Sequence, residues 1–170
     1  MIPLPALADW HNGWFRYVTG DGDRPPVSFG GSVFTVDEYA HMADVRRVFV
    51  GFRIAAAAAG ILAFVLVSRV ARRRRRRAAL LLIRDAALIA AGGVVAIAIV
   101  AVVSFDPLFL LFHEVFFPQG NFLFGPDSNL LAVYPDEYWY GVTLRIGFTF
   151  AGAMALVAVV ATATLRQARR

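Results

Sequence analysis

Three apolar stretches leave this chain few ways to fold. Val48 to Ser68 is broken only by Arg53, Ala86 to Phe105 has no charge between Asp85 and Asp106, and Ile146 to Leu165 lies between Arg145 and Arg166. Crossing the hydrocarbon core of a bilayer takes about 20 mostly apolar residues, because a helix rises only about 1.5 Å per residue. Each stretch has that length and is rich in Ala, Val, Leu and Ile. Inside lipid no water satisfies the backbone, so a helix, which closes its hydrogen bonds within one segment, is the expected solution. A hydrophobic content of 59% is also far above that of an ordinary soluble domain. The expected fold is an all-α membrane protein, a bundle of three transmembrane helices with a small extracytoplasmic cap.

Arginine placement sets the expected orientation. All 17 basic residues are arginine. Arg69, Arg72 to Arg77 and Arg84 crowd around the link between the first two spans, and Arg166, Arg169 and Arg170 follow the third. Basic residues in short loops stay cytoplasmic, so the link (residues 71–85) and the tail (166–170) are expected inside the cell membrane. Residues 1–47 and 106–145 then face outward, carrying eleven of the twelve acids. A six-arginine run also has the composition of a nucleic-acid patch. Pinned between two spans, it reads instead as an anchor against anionic lipid headgroups, and no nucleic-acid partner is expected. There is no cysteine, which excludes disulfides, thiol nucleophiles and Cys-ligated metals. MIPLPALADW has neither the basic start nor the long apolar core of a signal peptide, although the residues after it are expected outside. The expectation is that a fourth helix, N-terminal to the three, is missing from this chain.

The outward segments carry the chemistry. Residues 1–34, with Trp10, Trp14, Pro25-Pro26 and Gly30-Gly31, read as a loop-rich cap segment whose indole rings suit the headgroup region; SVFTV within it has the composition of a short strand. TVDE at 35–38 is a capping box, in which Thr35 and Glu38 bond each other's backbone amides. The helix it starts meets no breaker, so one helix is expected over 35–70, its first turns standing above the first span. Spacings of three and four place His41, Asp44, Val45 and Val48 on one face, with His41 about 10 Å above Val48. Beyond the second span, Asp106-Pro107 is a good helix start, LFLLFHEVFF a short interfacial helix ended by Pro118, GNFLFGPDSN a run of turns, and YPDEYWY an aromatic belt before the third span.

His41 and His113 thus converge on one depth, each beside a carboxylate, Asp44 and Glu114. Histidine exchanges protons near neutral pH, so the four can form an acid/base pair with support. They can also supply metal ligands, or be interfacial histidines satisfied by hydrogen bonds. HEVFF is not the HExxH zinc-protease signature, because Phe117 stands where the second histidine would be. No Ser-His-Asp motif or phosphate-binding glycine loop is present. Arg53 and Arg145, near the outer ends of their spans, either snorkel to headgroups or bind an anionic substrate group.

YAHMADVRRVF, followed by FDPLFLLFHEVFFPQGNFLFGPDSNLLAVYPDEYWY, resembles a bacterial integral-membrane family, the lipoprotein intramolecular transacylases. His-x-x-Asp-Val and Phe-His-Glu carry the resemblance, which covers roughly residues 30–165. The order span, basic link, span, aromatic loop, span agrees with it. Members have four transmembrane helices and an extracellular cap, and often a tryptophan where this chain has Phe122. The resemblance implies an acyltransferase of the cell membrane, needing no metal or other cofactor. It moves an acyl chain within a diacylglyceryl lipoprotein, from the glyceryl sn-2 ester to the amine of the N-terminal cysteine. The family's two catalytic histidines fall on His41 and His113, with base and acid roles unassigned. Phe112, Phe116, Phe117, Asn121, Phe122 and Tyr138 are then expected to line the substrate slot, and Arg53 and Arg145 to hold its polar end. The alternative is a non-catalytic membrane protein that binds a lipid or lipoprotein in an outer aromatic groove.

Overall fold

The structure is a computed structural model that describes residues 2–22, 33–72 and 75–168. Among them there are six helices and no strand: α1 (Leu4–Thr19), α2 (Val36–Arg72), α3 (Arg76–Val103), α4 (Phe105–Phe116), α5 (Asn129–Val133) and α6 (Asp136–Gln167). Pro25-Pro26, Gly30-Gly31, Ser32, Arg73-Arg74 and Arg169-Arg170, all used in reading the sequence, lie outside the described residues.

The chain divides into two compact units, residues 1–56 with 106–139, and residues 57–105 with 140–170. The second unit is built from the apolar parts of α2, α3 and α6. These three helices are long and apolar enough to cross a membrane, with mean hydropathy of 2.2, 2.8 and 2.1 over their most apolar windows. Their large side chains are exposed on many sides: Ile89 is 75% exposed, Phe64 73% and Phe148 67%. Surfaces like these are stable against lipid and not against water. The buried residues of α3 and α6 are mostly small, Ala79, Ala87, Ala101, Ala158 and Ala161 with Leu165, and a side chain added at Gly147 of α6 would touch Val94 of α3 at 3.8 Å. Small residues let two helix backbones approach, which replaces the hydrophobic driving force that lipid cannot supply.

Besides α2, two helices start well before their apolar cores. α3 begins at Arg76, so the basic link expected over 71–85 is largely helical; Ala, Leu and Arg are all strong helix formers. α6 begins at Asp136, which places the aromatic YWY on a helix rather than ahead of one.

The first unit holds the short helices. Residues 1–34 were expected as loop, yet α1 occupies 16 of them. Pro3 and Pro5 stand at the helix start, where a missing amide hydrogen does no harm, and Gly20 ends the helix at φ +87°, a left-handed turn that favours glycine. Val33 to Thr35, part of the expected strand, is not extended into a sheet. The core of this unit gathers Trp14 and Val18 of α1, Phe34, Met42 of α2, and Leu130, Val133 and Tyr134 around α5. Trp14 is fully buried, with its ring edge-on to Phe34 at 5.1 Å between centroids.

Candidate active site

The site begins with the start of α2. Thr35 Oγ1 accepts from the Glu38 amide at 3.2 Å, and Glu38 Oε2 accepts from the Thr35 amide at 2.6 Å, the reciprocal pair of a capping box. The other oxygen of Glu38 does something spacing alone does not reveal. Oε1 accepts from Ser128 Oγ at 2.5 Å and from the Leu130 amide at 2.9 Å, drawing a segment 90 residues away onto α2. Asn129 adds a bond from its Nδ2 to the Val33 carbonyl at 2.5 Å. Glu38 is only 1% exposed. Burial pushes its carboxyl pKa upward, but the bonds from Ser128, Leu130 and Thr35 outweigh it and leave the pKa below the ordinary value. The carboxylate stays charged because its donors replace the lost water.

One turn further, His41 is buried at 6% exposure. His113, on α4, faces it with ring centroids 5.9 Å apart and planes inclined by 18°. The two rings help wall a cavity of about 140 Å³, together with Phe109, Phe112, Phe117 and Phe122. That volume is close to that of an engineered apolar cavity able to take a benzene ring, about 150 Å³. Phe117 packs edge-on against His41 at 4.7 Å, and Phe122 lies 5.1 Å from His113.

The two imidazoles are prepared differently. His113 Nδ1 lies 2.7 Å from the Phe109 carbonyl, one turn back on α4. A carbonyl only accepts, so Nδ1 carries the proton and Nε2 of the neutral ring holds the lone pair. Burial lowers the His113 pKa, with the Phe109 bond pulling the other way. His41 is held down to about 4, by burial first and then by His113; a hydrogen bond with Asn121 and the charge of Asp44 oppose this. Its Nδ1 is buried with no hydrogen-bond partner among the described residues. Near neutral pH both rings are uncharged.

Asp44 braces this arrangement. Its Oδ2 accepts from Asn121 Nδ2 at 2.8 Å and from Gln119 Nε2 at 2.5 Å, and its Oδ1 pairs with Arg47. Both amides lie on the turn after α4, where Gly120 has φ +76°. Asp44 thus ties the end of the His113 helix to the His41 helix.

A sequence model of one family, the lipoprotein intramolecular transacylase Lit, matches residues 15–139, a stretch containing every residue named in this geometry. The chain belongs to the Lit family. Curated proteins and solved structures gave no match. The Lit match starts within α1 and ends at Trp139, so it lies further toward the N-terminus than the 30–165 suggested by motifs alone.

In this Lit-family chain the expected site residues divide into two groups. His41, His113, Phe112, Phe117 and Phe122 line the cavity, and Asn121 and Asp44 connect to it through hydrogen bonds. The others lie elsewhere. Glu114 is exposed and does not line the cavity. Phe116 packs on Phe112 at 4.7 Å and Phe52 at 5.5 Å, and Tyr138 packs on Tyr134 at 5.2 Å. Arg53 Nη1 donates to the Thr19 carbonyl at 2.5 Å, at the end of α1. Arg145 is exposed on α6 in the second unit. Among the described residues no three of His, Cys, Asp and Glu come together as a metal site would require. The contributions of Glu38, Gln119, Phe109 and Tyr134 were not singled out beforehand. Only Glu38 carried a signal, its place in the capping box.

Proposed function

We propose that this protein transfers an acyl chain within a diacylated lipoprotein, from the glyceryl sn-2 oxygen to the α-amine of the N-terminal cysteine. The observation that carries the proposal is the facing of two neutral imidazoles, buried His41 and half-buried His113, across one apolar cavity. Family membership supplies the class of substrate.

The amine lone pair attacks the sn-2 ester carbonyl carbon and forms the C–N bond. His113 Nε2, the free lone pair of its ring, takes the proton that the amine must lose. His41, neutral because its pKa is about 4, donates to the developing oxyanion in the tautomer that carries the ring proton on Nδ1, the nitrogen that gains a hydrogen bond only when the substrate is in place. The tetrahedral carbon then collapses, the C–O bond to glycerol breaks, and the His113 proton passes to the glyceryl oxygen. The product is an amide and a free sn-2 hydroxyl, with no water consumed and, counted from the neutral amine, no net proton released. Nucleophile and ester share one molecule, so folding them together supplies an effective-molarity gain of at most about 7–11 kcal/mol. The phenylalanines exclude the water that would otherwise hydrolyse the ester. Positive-inside placement puts the histidine unit on the outer face of the cell membrane and the arginine link against anionic headgroups on the inner one.

The test is mass spectrometry of the N-terminal peptide of a diacylated lipoprotein after incubation with the purified protein in detergent. Wild type should give an isomer of unchanged mass, with one acyl group on nitrogen and one on glycerol, whether or not chelator is present. His113→Ala should slow this by about 10²- to 10⁴-fold, the usual worth of a positioned base. An unaltered rate in His113→Ala would sink the assignment.

A further inference from the structure

We propose that Asp136 forms the subsite that recognises the free α-amine of the substrate's N-terminal cysteine, an inference that rests on the acyl-transfer reading above. Among the described residues lining the cavity, Asp136 is the only carboxylate. It stands in the first turn of α6, exposed, with no ion pair to any described residue. The other described acids of this unit are committed or do not line the cavity. Glu38 is occupied by Ser128, Leu130 and Thr35, Asp44 by Arg47, Gln119 and Asn121, while Glu114 and Glu137 do not line the cavity.

A helix start favours acids in general, but Glu137 next in sequence serves that purpose equally well. What sets Asp136 apart is its position on the wall shared with the two histidines.

The substrate's chemistry supplies the need. An α-amine has a pKa of about 7.7–8.0, so near neutral pH it arrives mostly as an ammonium. An ammonium does not enter an aromatic cavity without a partner for its charge. A carboxylate at the wall provides one and holds the nitrogen within the cavity; the ammonium gives one proton to water, and His113 takes the second as the resulting neutral amine attacks. Each polar part of the reaction then has a place: the ammonium at Asp136, the transferred proton at His113, the oxyanion at the unpartnered His41 nitrogen. The same device favours release. Once the nitrogen is an amide it has no charge, and the attraction to Asp136 is gone.

The experiment measures binding of a dialkyl-ether diacylglyceryl-cysteine lipopeptide, which has no ester to transfer, with its amine either free or acetylated. The wild-type protein in detergent should bind the free amine about tenfold more tightly than the acetylated form at pH 7, the size of one charge-assisted contact. Asp136→Asn should abolish the preference while binding the acetylated form as wild type does, and Asp136→Glu should keep most of it. A preference that survives in Asp136→Asn, or none in wild type, overturns the subsite. Loss of both ligands in Asp136→Asn also overturns it, since it makes the residue structural. The ester lipopeptide run in parallel separates the two readings: amine preference without acyl transfer supports the subsite and refutes the reaction.

Discussion

In the first unit one buried carboxylate, Glu38, gathers two backbone amides and a hydroxyl, two of these donors from residues 128–130. In the second unit the hydroxyls of Thr149, Thr162 and Thr164 turn back to carbonyls one turn away on their own helix. The first unit also packs large rings edge to face, whereas the second buries alanines. The environment accounts for the contrast. A site that must hold two rings a few ångströms apart needs directional contacts across the chain, while a span in lipid needs only its own hydrogen bonds and smooth packing. The first unit should therefore be sensitive at single polar atoms, and the second tolerant.

Glu38→Ala should give the largest loss of stability. It strands the Leu130 and Thr35 amides and the Ser128 hydroxyl, and breaking a buried charged network costs on the order of 3–5 kcal/mol. A thermal unfolding midpoint in detergent reads this directly; a fall no larger than that of a lipid-facing substitution would erase the contrast between the units. Acid should act next, and again through the first unit. His41 has a folded-state pKa of about 4, and His113 is also lowered. Between the ordinary histidine value of about 6.5 and pH 4 the unfolded chain therefore binds more protons than the folded one, and stability falls as pH drops through that window. Glu38, whose pKa lies below 4.5, contributes its own loss only at lower pH. Melting scans from pH 7 to 4.5 should show the decline, reduced in His41→Gln; an unchanged slope in that variant would mean the burial of His41 is not what drives it. The smallest effect belongs to the second unit. Val159, 64% exposed on α6, should tolerate Val159→Ala within about 0.5 kcal/mol. A larger drop would show that this face is covered.

Helices were legible where composition repeats a strong rule. The three apolar stretches marked three helices long and apolar enough to cross a membrane, Thr35 with Glu38 marked the start of α2, and Pro118 the end of α4, observed at Phe116. α1 was missed because its helix-compatible residues lie between prolines and glycines that dominate a local reading. Among the site residues, the aromatic run pointed to a cavity, but not to which rings would line it. Phe116 and Phe117 are neighbours in sequence, yet Phe117 is buried against His41 and Phe116 packs at a tilt against Phe52. Successive side chains on a helix diverge by about 100°, and only the direction of α4 relative to α2 decides which one meets the histidine.

Sequence by itself thus determined the elements and the chemical types: apolar periods, caps, two histidines each beside a carboxylate, and the motifs of a transacylase family. Those are local properties, set by propensity, hydropathy and spacing along one chain. Tertiary structure decided the pairings: Glu38 with residues 128–130, Asp44 with Gln119 and Asn121, His41 with His113, and Asp136 with the cavity wall. Partners this far apart are chosen by which surfaces pack and which buried polar atoms must be satisfied, a condition on the whole fold that no short window of sequence contains.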